Sequence, residues 1–169
     1  ELETTWQLPD GTDVLVRPIR PEDAEIEQDF VQNLSPESKY FRFMQTLDRL
    51  TPMMLARFTQ IDYDREMALI AVIREDGKEK QIGVARYYTL PDQTSCEFAI
   101  VVADDWHGKG IATELLQRLI DIARDRRLEE MVGIVLRENK GMIALAKELG
   151  FDQQRSPDDP GVVIMTLTL

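Results

Sequence analysis

The residues best placed to do chemistry lie in one stretch, Ile100-Val101-Val102-Ala103-Asp104-Asp105-Trp106-His107-Gly108-Lys109-Gly110-Ile111-Ala112-Thr113. An apolar run there gives way to a glycine-containing turn and then to helix-forming residues. Glycine lets the backbone approach a ligand with no Cβ in the way, and the first N–H groups of a helix point outward with about half a positive charge behind them. A phosphate or pyrophosphate fits such a junction. The helix end contributes only about 0.3–1 kcal/mol at an exposed site, so affinity has to come from several direct amide hydrogen bonds and from Lys109. An ordinary tight turn is the alternative, but one glycine would suffice for it. A dinucleotide fingerprint does not fit. Thr113 stands where a third glycine or alanine should be, Glu129 and Glu130 precede their strand, and the motif follows three strands instead of opening the fold. A Walker loop is absent as well.

The remaining reactive residue types narrow the chemistry. Cys96 is the only cysteine and His107 the only histidine, so an internal disulfide is excluded and no Cys/His cluster for structural zinc exists; His107 has no acid in evident support, which argues against a nucleophile triad. Cys96 reads as a small buried hydrophobe, Trp106 as a packing anchor, and Asp104 and Asp105 as loop-shaping residues. Asp62, Asp64 and Glu66 read as a solvated loop. With 20 Lys+Arg against 31 Asp+Glu, the 169-residue chain carries a formal charge of −11. That balance argues against nucleic acid as a partner and favours basic ones. No apolar run reaches the length of a membrane span, and the acidic start Glu1-Leu2-Glu3 is unlike a signal peptide, so the expectation is a cytoplasmic protein with no membrane partner. Composition and length fit one domain over residues 1–169.

These residues need a frame to hold them. Thr5–Leu8 and Val14–Val16 around Pro9-Asp10-Gly11 read as a hairpin. Pro21 opens a helix that runs to Leu34, Pro36 to Met44 is a second helical region, and Thr51-Pro52 caps a third. Met67–Ile73, Gln81–Leu90 and Ser95–Val102 form an antiparallel meander. Ile111, Leu115, Leu116, Leu119, Ile122 and Ala123 share one face of a helix, followed by a strand over Met131–Leu136. Asn139 opens a helix that Gly150 stops, and Val162–Leu167 is the closing strand.

In this order of elements, His107-Gly108-Lys109-Gly110-Ile111-Ala112 resembles the Gln/Arg-x-x-Gly-x-Gly/Ala pyrophosphate motif of the GNAT N-acetyltransferases, with His107 in place of the usual Gln or Arg. Asn139 through Gly150-Phe151 is similar to the family's second signature. The resemblance covers essentially the whole chain. It implies a mixed α/β (α+β) fold: a mostly antiparallel twisted sheet of about seven strands, flanked by helices and splayed at a central strand pair. It also implies acetyl-CoA as cosubstrate and no metal. The backbone of Ile100 and Val102 would meet the pantetheine arm, Gly108 to Thr113 the pyrophosphate, and Asn139 the pantetheine side. Val16–Asp23, Ser38–Phe43 and Asn139–Ile143 resemble the acetyltransferase domain of bacterial Pat-type protein lysine acetyltransferases. That subfamily often carries a preceding acyl-CoA synthetase-like region, which would account for a chain starting at Glu1, and an acyl-CoA synthetase is then a candidate acceptor protein.

A lysine amine with its reference pKa near 10.4 costs about 4.6 kcal/mol to neutralise at pH 7, so a base is expected. Glu97, on the strand just before the implied pantetheine contacts, resembles the glutamate thought to serve Pat-type enzymes as that base. Flanked by Cys96 and Phe98, it could work directly or through one water; the alternative is a solvated strand residue. A backbone N–H near Val102 would meet the oxyanion. Many GNAT enzymes have a tyrosine seven residues after the asparagine; here that position is Ala146, so the thiol would leave as thiolate. Three readings follow: acetyl transfer to a protein lysine, acetyl transfer to a small amine such as a polyamine, aminoglycoside or amino acid, or a domain that senses acetyl-CoA without turnover.

Overall fold

A computed structural model describes residues 2–169. The chain opens with a hairpin of β1 (Thr4–Gln7) and β2 (Asp13–Pro18), closed by the Leu8 N–H to Thr12 carbonyl bond of 2.8 Å. Three helices follow: α1 (Ala24–Gln32), α2 (Pro36–Phe43) and α3 (Pro52–Thr59). Ser35 and Thr51 cap α2 and α3 by accepting from the N–H groups of Ser38 and Met54, each with proline in the first turn. The first helix starts later than Pro21, because Pro21–Asp23 winds as a 3₁₀ turn before α1 begins.

The meander strands β3 (Glu66–Glu75) and β4 (Lys78–Thr89) reach further than their apolar runs. Asp76 and Gly77 both take positive φ, +55° and +77°, so a two-residue turn whose twist matches the strands carries the pairing to Glu75↔Lys78. Beyond β5 (Ser95–Val102) come α4 (Ile111–Asp125), β6 (Glu130–Leu136), α5 (Lys140–Glu148), β7 (Asp152–Arg155) and β8 (Val162–Thr168). The eight strands form one sheet in the order β1-β2-β3-β4-β5-β6-β8-β7. That agrees with the expected sheet of about seven strands; the strand without a signal in the sequence is β7, an exposed edge strand, Asp-Gln-Gln-Arg, with no apolar alternation to announce it.

Every neighbouring pair is antiparallel except β5 with β6. Helices α4 and α5 cover one face through Leu115, Leu116, Leu119, Ile143 and Ala146, packed on Ile100, Val102 and Met131. On the other face lie Phe30, Val31 and Leu34 with Ile70 and Val84. Gly83 permits the close approach of α4, since a Cβ there would stand 3.2 Å from Leu115 Cδ1. Among the described residues no helix is long and apolar enough to cross a membrane.

Candidate active site

The parallel ladder between β5 and β6 holds for only three pairs, Ser95↔Glu130, Cys96↔Met131 and Glu97↔Val132. Beyond it the strands part. On β5 the odd-numbered residues turn their backbone groups to β4, as the Leu90 N–H to Ser95 carbonyl and Ala103 N–H to Ile82 carbonyl bonds, both 2.8 Å, show. Even-numbered residues therefore face β6. The N–H and C=O of Ile100 and the N–H of Val102 thus stand on the open edge, where no β6 residue is in register. Unpaired strand groups of this kind call for a partner.

A cleft of about 720 Å³ fills the gap and runs through the sheet. Of the residues expected to form the site, Glu97, Ile100, Val102, His107, Gly108, Gly110, Ile111, Ala112, Thr113 and Asn139 all line it. Lys109 does not. Its ammonium lies 4.0 Å from Asp10 and 5.8 Å from the Trp106 ring centroid, beside the first hairpin.

Gly108 and Gly110 take φ of +77° and +84°, and Gly110 is the N-cap of α4. No side chain caps that helix, which leaves the N–H groups of its first turn for a ligand. A Cβ on Gly108 would meet no protein atom within 4 Å, so space beside the turn is open. His107 Nε2 lies 2.8 Å from the carbonyl oxygen of Val102 and donates to it, pinning the turn to the end of β5. The histidine that departs from the family pattern therefore has a place in the geometry. Asn139 caps α5 by accepting from the N–H of Met142 at 3.2 Å. Ala146 is fully buried on the inner face of α5 and does not line the cleft.

Glu97 points to the opposite face from Phe98 and Ile100, by strand alternation, and lines the cleft together with residues of α2. It is half-buried, with Tyr88 as its cross-strand neighbour. Burial and the neighbouring Glu97 carboxylate push the Tyr88 phenol up to about 12. Cys96 is buried, and burial pushes its thiol up to about 12, as expected of a packing residue.

One tie has no local signal in the sequence. The Asp104 carboxylate accepts from the Ser35 N–H (2.9 Å) and from the Ser35 and Ser38 hydroxyls (2.8 Å each). Burial works to raise the Asp104 pKa, but these bonds outweigh it and hold the carboxyl below its ordinary value. The N-terminus of α2 is thereby fixed to the loop that leads into the glycine turn. Phe41, Arg42, Phe43 and Met44 at the other end of α2 line the cleft beside Glu97.

Comparison with known proteins agrees with this arrangement. The sequence profile of the acetyltransferase (GNAT) domain matches residues 13–152. The chain is similar to Acetyltransferase PA5475 of Pseudomonas aeruginosa, 39% identical over 162 residues, covering 96% of this chain and 87% of the relative. It is also similar to the L-methionine sulfoximine/L-methionine sulfone acetyltransferase of that species, 41% identical over 56 residues, or 33% of each chain. Among solved structures, the GNAT domain of S. lividans PAT superposes with a TM-score of 0.90 at 32% identity, covering 99% of this chain and 97% of that one.

Proposed function

The chain belongs to the GNAT acetyltransferase family, whose members use acetyl-CoA, and from that premise we propose that it moves the acetyl group to a lysine amine of a protein acceptor by direct attack. One observation carries the reading: a carboxylate, Glu97, and an uncapped glycine turn open into the same cleft from opposite faces of a splayed sheet. Acetyl-CoA supplies an activated thioester. The N–H groups at Ile111, Ala112 and Thr113 hold its pyrophosphate, and the open edge of β5 at Ile100 and Val102 orients the pantetheine arm. Glu97 takes a proton from the ammonium and so frees the lone pair that attacks the thioester carbonyl, and a backbone N–H near Val102 donates to the oxygen that gains charge. The thiol leaves as thiolate, its pKa being close to the cysteine reference of about 8.5, so Ala146 costs the reaction no acid.

The similarity to the GNAT domain of S. lividans PAT over 99% of the chain, together with the resemblance to Pat-type protein lysine acetyltransferases, supports a protein acceptor, and the −11 charge suits a basic one. The experiment is turnover of acetyl-CoA with a lysine-containing protein, read as CoA release, for the wild type and Glu97→Gln. General-base loss lowers kcat by about 10²–10⁴-fold with acetyl-CoA affinity unchanged. A Glu97→Gln enzyme as fast as the wild type removes the base, and a wild type that binds acetyl-CoA but acetylates no amine replaces the enzyme with a sensor.

A further inference from the structure

Four arginines are not fully on the surface: Arg17, Arg42, Arg86 and Arg118. Three of them hold carboxylates, Arg17 on Asp23 and Glu79, Arg86 on Glu27, and Arg118 on Glu114. Arg42 has no carboxylate within 4.0 Å and no hydrogen bond among the described residues, although it lines the cleft. None of its nitrogens is sealed from solvent, and the residue lines the cleft. A guanidinium carries five donors in a fixed fork, and leaving it half-buried and unpaired is costly.

The surroundings hold it there. Its guanidinium lies 4.8 Å from the Phe43 ring centroid and 5.6 Å from that of Phe58, while Arg86 lies 4.6 Å from the same Phe58 ring. Burial and the like charge of Arg86 disfavour the Arg42 cation, and the charges of Glu27 and Glu97 favour it. Glu27 is already taken, with one oxygen on Gln81 at 2.6 Å and the other on Arg86 at 3.2 Å. Only Glu97 remains, and it shares the cleft with Arg42 without a contact. The acceptor side of the cleft thus presents a carboxylate and a guanidinium held apart. Arg42 is also on the sheet face opposite α4, away from the turn that would hold the pyrophosphate.

We propose that Arg42 binds a carboxylate that the acceptor carries close to its reacting amine. The amine faces Glu97 and the carboxylate sits on the guanidinium fork. Two acceptors offer that chemistry: a free amino acid through its α-carboxylate, and a polypeptide with Asp or Glu beside the lysine. The inference rests on the amine-acetylation reading of this cleft.

Two matched sets of acceptors test it: free amino acids against their amides, and lysine peptides with Asp against Asn beside the lysine. Each is measured as kcat/KM and, separately, by calorimetry on the CoA-loaded protein. In the wild type the carboxylate-bearing member of one set is favoured at least tenfold, mostly through KM, and the set that shows it names the acceptor. Arg42→Gln removes the preference and keeps CoA affinity; Arg42→Lys, which retains the charge without the fork, keeps part of it. Equal or undetectable binding of both members in both sets overturns the proposal, as does a preference that survives in Arg42→Gln. Carboxylate-selective binding with no acetylation of any amine overturns the function and leaves the Arg42 site standing.

Discussion

The ring of Phe98 occupies the space that a Cβ on Gly133 would need. Such a Cβ would stand 2.9 Å from Cδ2 of the ring, 2.5 Å from Cζ and closer still to Cε2. Phe98 and Gly133 are the residues that follow the last β5–β6 pair, Glu97↔Val132. The ring also packs edge-on against Phe151, with centroids 5.3 Å apart. The point where the sheet opens is therefore built from an aromatic on one strand lying over bare backbone on the next.

Gly133→Ala forces that ring to move. The expected cost is about 1–3 kcal/mol, the range for overpacking a filled core, together with a raised KM for acetyl-CoA because the strand edge beside it shifts. Phe98→Leu in the same chain makes room and recovers part of both losses. Thermal unfolding and acetyl-CoA titration of the single and double variants measure the coupling; purely additive effects would show that the two residues do not share this space.

Gly108 and Gly77 form a matched pair, both at φ +77° with nothing within 4 Å of a built Cβ. An L-residue in the left-handed region costs about 1–2 kcal/mol, so Gly108→Ala and Gly77→Ala lose similar stability. Only Gly108 lies at the uncapped end of α4. Acetyl-CoA affinity therefore falls in Gly108→Ala and stays at the wild-type value in Gly77→Ala, whose turn joins β3 to β4. Calorimetry on the two variants decides it, and equal affinities would take the pyrophosphate away from this turn.

What the sequence discloses here is local. The glycine turn, the amphipathic α4 and the capped starts of α2 and α3 are written in residues within a few positions of one another, where periodicity and backbone preference act directly. The opening of the sheet is not, because it depends on Phe98 meeting Gly133 across two strands. Asp104 and Ser35 are 69 positions apart, so neither residue alone marks the tie between α2 and the turn. Arg42 is conspicuous only once its neighbours are known: its lack of a carboxylate shows against Arg17, Arg86 and Arg118, each of which has one. β7 carries no apolar pattern and is held by pairing with β8. Lys109 is the natural charge for a phosphate by sequence; that Asp10, 99 residues upstream, stands 4.0 Å from it has no local signal.

Asp23 gives the fold an acid-dependent clasp. Arg17 holds both its oxygens at 2.8 Å, the Arg20 N–H donates at 2.8 Å, and Glu79 joins Arg17 at 2.9 Å. Burial acts to raise the Asp23 pKa, but the Arg17 guanidinium and the Arg20 N–H more than offset it and hold the carboxyl below its ordinary value. The unfolded chain, with an ordinary value near 3.9, then takes up a proton before the folded one does. The stabilisation is complete above that pH and is lost as pH falls through the depressed folded value. Asp23→Asn removes one of the two carboxylates that hold Arg17 and costs about 3–5 kcal/mol at pH 7. Urea unfolding of both proteins at pH 7 and in strong acid isolates this carboxyl, since every other group titrates alike in the two. The gap between them narrows in acid; a gap unchanged across the range would mean that the Asp23 charge adds nothing to stability.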